Sequence, residues 1–284
     1  MTDVTPALLL EAVDEVARLA GEIAFGMFAS DIAVETKGDG SPVTPADRAA
    51  EIAAREWITA RFPEHGIVGE ELGVTNPHAP LRWFLDPIDG TASFIRGVPL
   101  WGTLVAVARG DVVIAGAIYC PAVEELVCAA QGCGAWSNHV QIRVSGTERL
   151  SDAVVLTTDG RFARHPERGD AWRTLGASAK ESRGWGDCYG YLLVATGRAE
   201  VMVDPVMSPW DAAALYPVVT EAGGVITDWI GRPTAFGDGA IATNAALALE
   251  VRRILGANGQ PRPIAEAVSR GRSPKPIAEA DADA

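Results

Sequence analysis

The chain has 284 residues, 48% of them hydrophobic, with a formal net charge of −13 and a pI of about 4.8. That length suits one large domain or two, each with a sizeable core. The acidic balance argues against a nucleic-acid-binding surface and against docking on an anionic membrane. It leaves open an anionic small substrate, because bound cations can invert a local field.

No apolar run reaches the length of a membrane span, and Met1-Thr2-Asp3-Val4 lacks the basic start of a signal peptide, so a cytoplasmic location is expected. The four cysteines are Cys120, Cys128, Cys133 and Cys188. Cys128 and Cys133 have no matching His or Cys pair, so reduced and mostly buried thiols are expected rather than zinc.

Residues 6–28 place Leu9, Ala12, Val13, Val16, Leu19, Ala20 and Ile23 at helical spacing, which predicts a helix with one packed face. Lys37-Gly38-Asp39-Gly40-Ser41-Pro42 reads as a flexible polar loop. Thr44 is suited to cap a second helix, with Pro45 at its first position, and that helix runs to about Arg61. Asp47, three residues after Thr44, reads on its own as a capping acid. Ile67-Val68-Gly69 is a short strand ending in Glu70-Glu71. Side chains alternate along a strand, so at most one of these two acids is expected to face a site.

Trp83-Phe84-Leu85 runs into Asp86-Pro87-Ile88-Asp89-Gly90-Thr91. The apolar run predicts a buried strand that ends where the acids begin. A rigid strand end holds Asp86 and Asp89 at a fixed separation, and Ile88 adds a carbonyl. Such hard oxygen donors suit Mg²⁺, with water and a phosphate completing its shell. Gly90 lets backbone approach a ligand, and a helix starting here would aim the Gly90 and Thr91 amides at an anion. The plain alternative for the same residues is an Asp-Gly turn.

Strands are predicted over Val98–Val107 and Val112–Tyr119, joined at Arg109-Gly110-Asp111, then over Glu125–Ala130 and Ala135–Val144. His139 falls in a turn between them and is assigned no catalytic role. Two helices on an antiparallel sheet describe this part. Beyond Ser145-Gly146 strands and helices alternate: strand Val154–Thr158, helix Asp170–Ala177, helix Leu192–Thr196 and strand Ala199–Val203. A helix opened by Ser208-Pro209-Trp210-Asp211 should be kinked or shortened at Pro217. Strands Val225–Thr227 and Ala240–Thr243 and a helix over Ala246–Leu255 follow. The expected organisation is an α+β metal-binding half over 1–147 and an α/β half over 148–256. Residues 257–284, rich in Pro, Ala and charge, are expected to be a disordered tail.

Asp47, Glu70, Asp86, Asp89 and Asp211 all stand at strand ends or helix starts. Carboxylates converging without Lys or Arg repel one another unless cations bind, and paired Mg²⁺ ions catalyse in-line displacement at phosphorus. Gly-Glu-Glu, Asp-Pro-Ile-Asp-Gly-Thr, Trp-Asp-Ala-Ala-Ala and Glu-Ala-Gly-Gly, in this order and spacing, resemble the inositol monophosphatase superfamily over roughly residues 8–256. The resemblance implies a layered αβαβα sandwich of the sugar-phosphatase type, within the α+β class, and a Mg²⁺-dependent phosphomonoesterase holding two to three ions. It implies Glu70, Asp86, Asp89, Asp211 and the Ile88 carbonyl as metal ligands, with Asp47 near a third, weaker ion. It implies that Thr91 and Glu70 activate a water, and that the Gly90 and Thr91 amides hold the phosphate. It also implies a mobile loop around Lys37 and a homodimer.

Ala92-Ser93 departs from the Thr or Lys followed by Asn found in many members, at positions that are not metal ligands. Arg183-x-x-Gly186-Asp187-Cys188-Tyr189-Gly190-Tyr191 looks more like the histidinol-phosphate phosphatases of the superfamily, and histidine synthesis is the implied setting. Histidinol phosphate carries an ammonium and an imidazole, with which Asp187 and Asp204 can pair, so these two join Arg183 and Asp89 as expected substrate-binding residues. Asp187 also reads as a helix cap, and Arg183 as a surface strand residue. The rival readings are an inositol or broad sugar-phosphate phosphatase, and a regulatory binding protein on the same fold.

Overall fold

The computed structural model describes residues 4–38 and 40–257. Helix α1 (Pro6–Phe25) is capped by the Thr5 hydroxyl, which accepts from the Leu8 amide at 3.3 Å, and it ends three residues earlier than the apolar spacing suggests. Strands β1 (Glu35–Thr36) and β2 (Pro42–Val43) form a small antiparallel ribbon with Lys37 at its turn, where the Lys37 amide donates to the Ser41 carbonyl at 2.8 Å. Helix α2 (Pro45–Arg61) has the expected bounds. It pairs with α1 over a core of Leu9, Val13, Val16, Ala50, Ala54 and Ile58.

Strands β3 (Gly66–Gly69), β4 (Gly73–Thr75) and β5 (Leu81–Asp89) follow. β5 corrects an expectation: extended backbone does not stop at Asp86 but runs on through Asp89, still paired with β6 (Gly102–Arg109), with a register break between the two acids. Pro87 lacks a ladder donor, and a break in register is how a sheet accommodates one. Gly90, at φ 86°, then turns the chain into the single-turn helix α3 (Thr91–Phe94). Val98 is not in a strand as expected; its amide closes that turn onto the Ser93 carbonyl at 3.0 Å. β7 (Val112–Cys120), β8 (Glu125–Ala130), β9 (Gly134–Ser137) and β10 (Val140–Gln141) complete an eight-stranded sheet in the order β10-β9-β8-β7-β6-β5-β3-β4. It is antiparallel except for the parallel pair β3 and β5.

The second part comprises β11 (Val154–Leu156), α4 (Pro166–Ser178), β12 (Glu181–Arg183), α5 (Asp187–Ala195), β13 (Val201–Asp204), α6 (Pro209–Glu221), β14 (Val225–Thr227), β15 (Ala240–Thr243) and α7 (Ala248–Ile254). Its five strands order as β12-β11-β13-β15-β14. α5 starts at Asp187 rather than at Leu192, and α4 four residues before its expected start. Pro217 does not shorten α6, which continues to Glu221. Its ring fills space that another residue on β7 would need: a Cβ at Gly116 would meet Pro217 Cγ at 2.8 Å and the Ala214 carbonyl at 2.6 Å.

Three apolar cores separate the layers. α1 and α2 cover one face of the large sheet. α5 and α6 fill the space between the two sheets, where Leu104, Ile118, Leu192, Val194, Leu215 and Val218 meet. α4 and α7 cover the far face of the small sheet, packing Trp172, Leu175, Leu247 and Val251 onto Val201 and Ile241. This is the αβαβα sandwich. Arg252 of α7 is fully buried with no acid paired to it among the described residues, and its guanidinium donates to the carbonyls of Val225, Ile241 and Ala248 and to two Thr hydroxyls. No helix among the described residues is long and apolar enough to cross a membrane. Apart from Ala257, the expected tail lies outside the described residues.

Candidate active site

α6 lies across the face of the large sheet opposite to α1 and α2, and so brings its first turn under the end of β5. One carboxylate oxygen each from Asp86, Asp89 and Asp211 lies within 4.8 Å of the others. Asp211 is the third residue of α6, where its Oδ2 accepts from the Ser208 amide at 2.9 Å. Asp86 Oδ1 accepts from the Ile88 amide at 3.0 Å, and Asp89 Oδ2 from the Cys188 amide at the start of α5. Burial, followed by the charges of Glu70, Asp89 and Asp211, pushes the Asp86 carboxyl well above the usual range. Burial and then Asp187 and Asp211 do the same to Asp89. Asp211 is pushed up to about 7, chiefly by burial. One buried and two half-buried acids that resist ionisation side by side, with hard oxygens turned towards one another, fit a divalent cation.

Glu70 and Asp47 stand outside this close triad. The Glu70 amide donates to the Leu85 carbonyl at 3.1 Å, which ties it beside β5, and its carboxylate is in hydrogen-bond reach of Asp86. Lys37 Nζ lies 2.7 Å from Glu70 Oε1 and 2.5 Å from Glu71 Oε1. This corrects two expectations. The acids do not converge without a cation, since Lys37 sits among them. Both Glu70 and Glu71 face the same partner, because they lie in the turn after β3 and alternation no longer applies there. Burial lowers the Lys37 pKa, but its bonds to Glu70 and Glu71 outweigh that and leave it raised. Asp47 is buried at the start of α2, and its Oδ2 takes both the Thr44 amide at 2.8 Å and the Thr44 hydroxyl at 2.7 Å. Burial raises its pKa, and Glu70 adds to the rise.

The Thr91 hydroxyl donates to the Ile88 carbonyl at 3.0 Å, so its oxygen lone pairs remain free to accept. Thr103 Oγ1 holds the Pro87 carbonyl at 2.7 Å, steadying the backbone between the acids. Gly90 has its left-handed conformation in a crowded place: a Cβ there would meet Asp187 Oδ2 at 3.0 Å.

A cavity of about 320 Å³ opens from Asp89 and Asp211 towards Asp187, Asp204, Tyr191 and Met207. Asp187, the first residue of α5, is held at φ 52° and its amide donates to Thr158 Oγ1 at 2.8 Å. Positive φ is uncommon outside glycine, with Asp among the residues that tolerate it. Among the described residues no donor meets the Asp187 carboxylate, which burial and then Asp204 and Asp211 push up to about 7. Asp204, at the end of β13, also lines the cavity, but the Thr158 amide at 3.0 Å and the Tyr191 hydroxyl at 3.1 Å already occupy its oxygens.

Arg183 is not brought to this cavity. It ends the edge strand β12, is exposed, and turns back onto Glu181 and the Ser182 carbonyl. The surface-strand reading of that residue describes its place. Sequence reasoning gave Lys37, Glu51 and Arg55 no role in the site and set Glu71 aside in favour of Glu70. Asp47, Glu51 and Arg55 recur at four-residue spacing on α2, a signal that one helix face carries all three.

The sequence profile of the inositol monophosphatase family matches residues 7–268. A histidinol-phosphatase of Chlorobaculum parvum is 41% identical over 258 residues, covering 90% of this chain and 98% of that protein. Another, of Mycobacterium tuberculosis, is 35% identical over 249 residues, covering 86% of this chain and 93% of that protein. The crystal structure of extragenic suppressor protein suhB from Bartonella henselae superposes with a TM-score of 0.81 at 28% identity, over 88% of this chain and 99% of that one.

Proposed function

The chain belongs to the inositol monophosphatase family and is a phosphatase, and from that premise we propose that it hydrolyses L-histidinol phosphate to L-histidinol and phosphate in the presence of Mg²⁺. The observation that carries the choice of substrate is the Asp187 carboxylate, half-buried beside the acid triad with no donor of its own among the described residues. An unpaired acid in such a place is costly unless the substrate brings a cation. The ammonium of histidinol phosphate supplies one; the hydroxyls of an inositol ring do not. The two histidinol-phosphatases above support the same choice.

In this reading Asp86, Asp89, Asp211, Glu70 and the Ile88 carbonyl hold two to three Mg²⁺ ions, with Asp47 beside the weakest. Bound there, magnesium would supply the positive charge that the transferring phosphoryl group needs. The chain's own groups do the rest. Thr91, its proton committed to Ile88, accepts a hydrogen bond from the attacking water and orients it. Glu70, once released from Lys37, takes the water's proton. The amides of Gly90 and Thr91 grip the phosphate oxygens at the start of α3. Asp89 keeps its second oxygen on the Cys188 amide, which fixes α5, and hence Asp187, relative to the phosphate. Asp204 contributes by position, holding Thr158, which in turn bonds the Asp187 amide. Arg183 has no part in this version. The protein is read further as a cytoplasmic homodimer acting in histidine synthesis; light scattering on the purified protein checks the dimer.

Phosphate release from a panel of phosphomonoesters with Mg²⁺ tests the substrate. We expect kcat/KM for histidinol phosphate at least about tenfold above that for inositol 1-phosphate, or roughly 1.4 kcal/mol of transition-state discrimination. Faster turnover of inositol 1-phosphate would overturn the choice.

A further inference from the structure

The β3–β4 turn that carries Glu70 and Glu71 is fastened to helix α2 by an ion pair between the fully buried Glu51 and the half-buried Arg55. Glu51 is fully buried, and its carboxylate takes three donors: Arg55 Nε at 2.7 Å, the Glu71 amide at 2.8 Å and the Leu72 amide at 3.2 Å. Arg55 carries the strap to the far side of the turn, donating to Thr75 Oγ1 at 2.9 Å and to the Gly73 carbonyl. Gly69 makes room for it, since a Cβ there would overlap the Glu51 carboxylate. Glu51 and Asp86 also line one narrow crevice between α1, α2 and the large sheet.

A buried ion pair is a poor device for stability alone, because desolvation offsets most of the attraction and well-packed apolar residues often do as well. What this pair does instead is fix a short exposed turn to a rigid helix, at two points, immediately beside the side chain of Glu70. Lys37 reaches the Glu70 and Glu71 carboxylates, while Glu51 holds the backbone that bears them. We infer that Glu51, braced by Arg55, is a positioning residue for the reaction, acting through the placement of Glu70. The inference rests on the reading of Glu70 as a metal ligand and water-activating base.

Glu51→Gln keeps the volume but loses the charge that holds Arg55, and one of its two terminal atoms can no longer accept. The test measures Mg²⁺ binding by calorimetry without substrate, and kcat and KM in saturating Mg²⁺, for Glu51→Gln, Glu70→Gln and the double variant. We expect Glu51→Gln to weaken Mg²⁺ binding and lower kcat by about 10- to 100-fold, as loss of groups that orient metal ligands does. KM for the phosphomonoester should stay within about twofold, because no substrate contact is removed. The double variant should be no worse than Glu70→Gln alone, since residues acting through one another are not additive. If the two losses multiply, or if Glu51→Gln changes only the melting temperature, Glu51 is a structural residue and the inference fails while the role of Glu70 stands. If Glu70→Gln itself leaves Mg²⁺ binding and kcat unchanged, the role of Glu70 fails and the inference with it. Should Glu51→Gln not fold, Glu51→Asp enters the same cycle with the same expected outcomes, keeping the charge on Arg55 while withdrawing the oxygens from the turn.

Discussion

Helices α2 and α6 begin with nearly the same chemistry. Thr44-Pro45-Ala46-Asp47 opens one and Ser208-Pro209-Trp210-Asp211 the other, and in each the acid accepts from the amide three residues back, at 2.8 Å and 2.9 Å. Yet Asp211 joins the triad within 4.8 Å of Asp86 and Asp89, and Asp47 does not. Local sequence makes both acids caps; the layer in which each helix packs decides which becomes more. α2 lies with α1 on one face of the large sheet, whereas α6 crosses the other face beneath the end of β5. A capping acid is thus an ordinary structural part that tertiary packing can bring into a cluster of acids.

The largest effects should separate these two acids. Asp211→Asn should lower kcat about a thousandfold, the equivalent of roughly 4 kcal/mol of transition-state charge stabilisation, and Asp86→Asn should match it. Asp47→Asn should cost about 10- to 100-fold, as an outer group does. Steady-state kinetics in saturating Mg²⁺ check this, and equal losses at positions 47 and 211 would erase the distinction.

A third helix start carries an acid with a different expected signature. Asp187→Asn should lower the ratio of kcat/KM for histidinol phosphate to that for glycerol 2-phosphate by about tenfold, since a charge-assisted bond contributes on the order of 1.5–3 kcal/mol. An unchanged ratio would mean that Asp187 serves α5 alone.

Stability against pH gives a smaller but signed test. Asp86, Asp89, Asp187 and Asp211 all have raised carboxyl pKa values in the folded chain. The unfolded chain therefore releases these protons first, and folding loses stability as pH rises from about 4 through the raised folded values, about 7 for Asp187 and Asp211. In a chelator, the melting temperature should fall between about pH 5 and pH 8, and Mg²⁺ should lessen the fall. Asp211→Asn should flatten this slope more than Asp47→Asn. A melting temperature that rises across the same window in chelator would contradict the shifts. The smallest effect belongs to the cap alone: Thr44→Ala should cost about 1 kcal/mol, or roughly 2–4 °C of melting temperature by calorimetry, and spare Mg²⁺ binding.

Much of this was legible in sequence because it is local. Thr44, Pro45 and Asp47 define a helix start without reference to any other part of the chain, and α2 begins where they imply. The acids of Asp-Pro-Ile-Asp-Gly-Thr stand out by spacing, and three of the five singled out do come together. What could not be read is what depends on distant partners. The alternation rule allowed only one of Glu70 and Glu71 to face a site because it takes a strand for granted, and the strand ends at Gly69. Lys37 looked like a loop residue, since its partners lie more than thirty positions away. Pro217 reads in sequence as a kink or a shortening because its cost is local, while its compensation, the close approach to Gly116 of β7, is not. Arg183 was drawn into the site by a motif whose other members are there, although its own strand faces solvent.

The path of α6 has one more consequence. Asp86 and Asp89 belong to the large sheet, and Asp211 to a helix that enters from the second part of the chain, so an ion held by all three is also a cross-link between layers. Because only the assembled chain offers that grip, each tenfold rise in free Mg²⁺ above the dissociation constant should add about 1.4 kcal/mol to the cost of pulling α6 off the sheet. Proteolysis that must wait for such an opening would slow in proportion. The same ion that serves turnover would then govern how long each copy of the protein lasts in a cell, and a magnesium-starved cell would lose the enzyme as well as its activity.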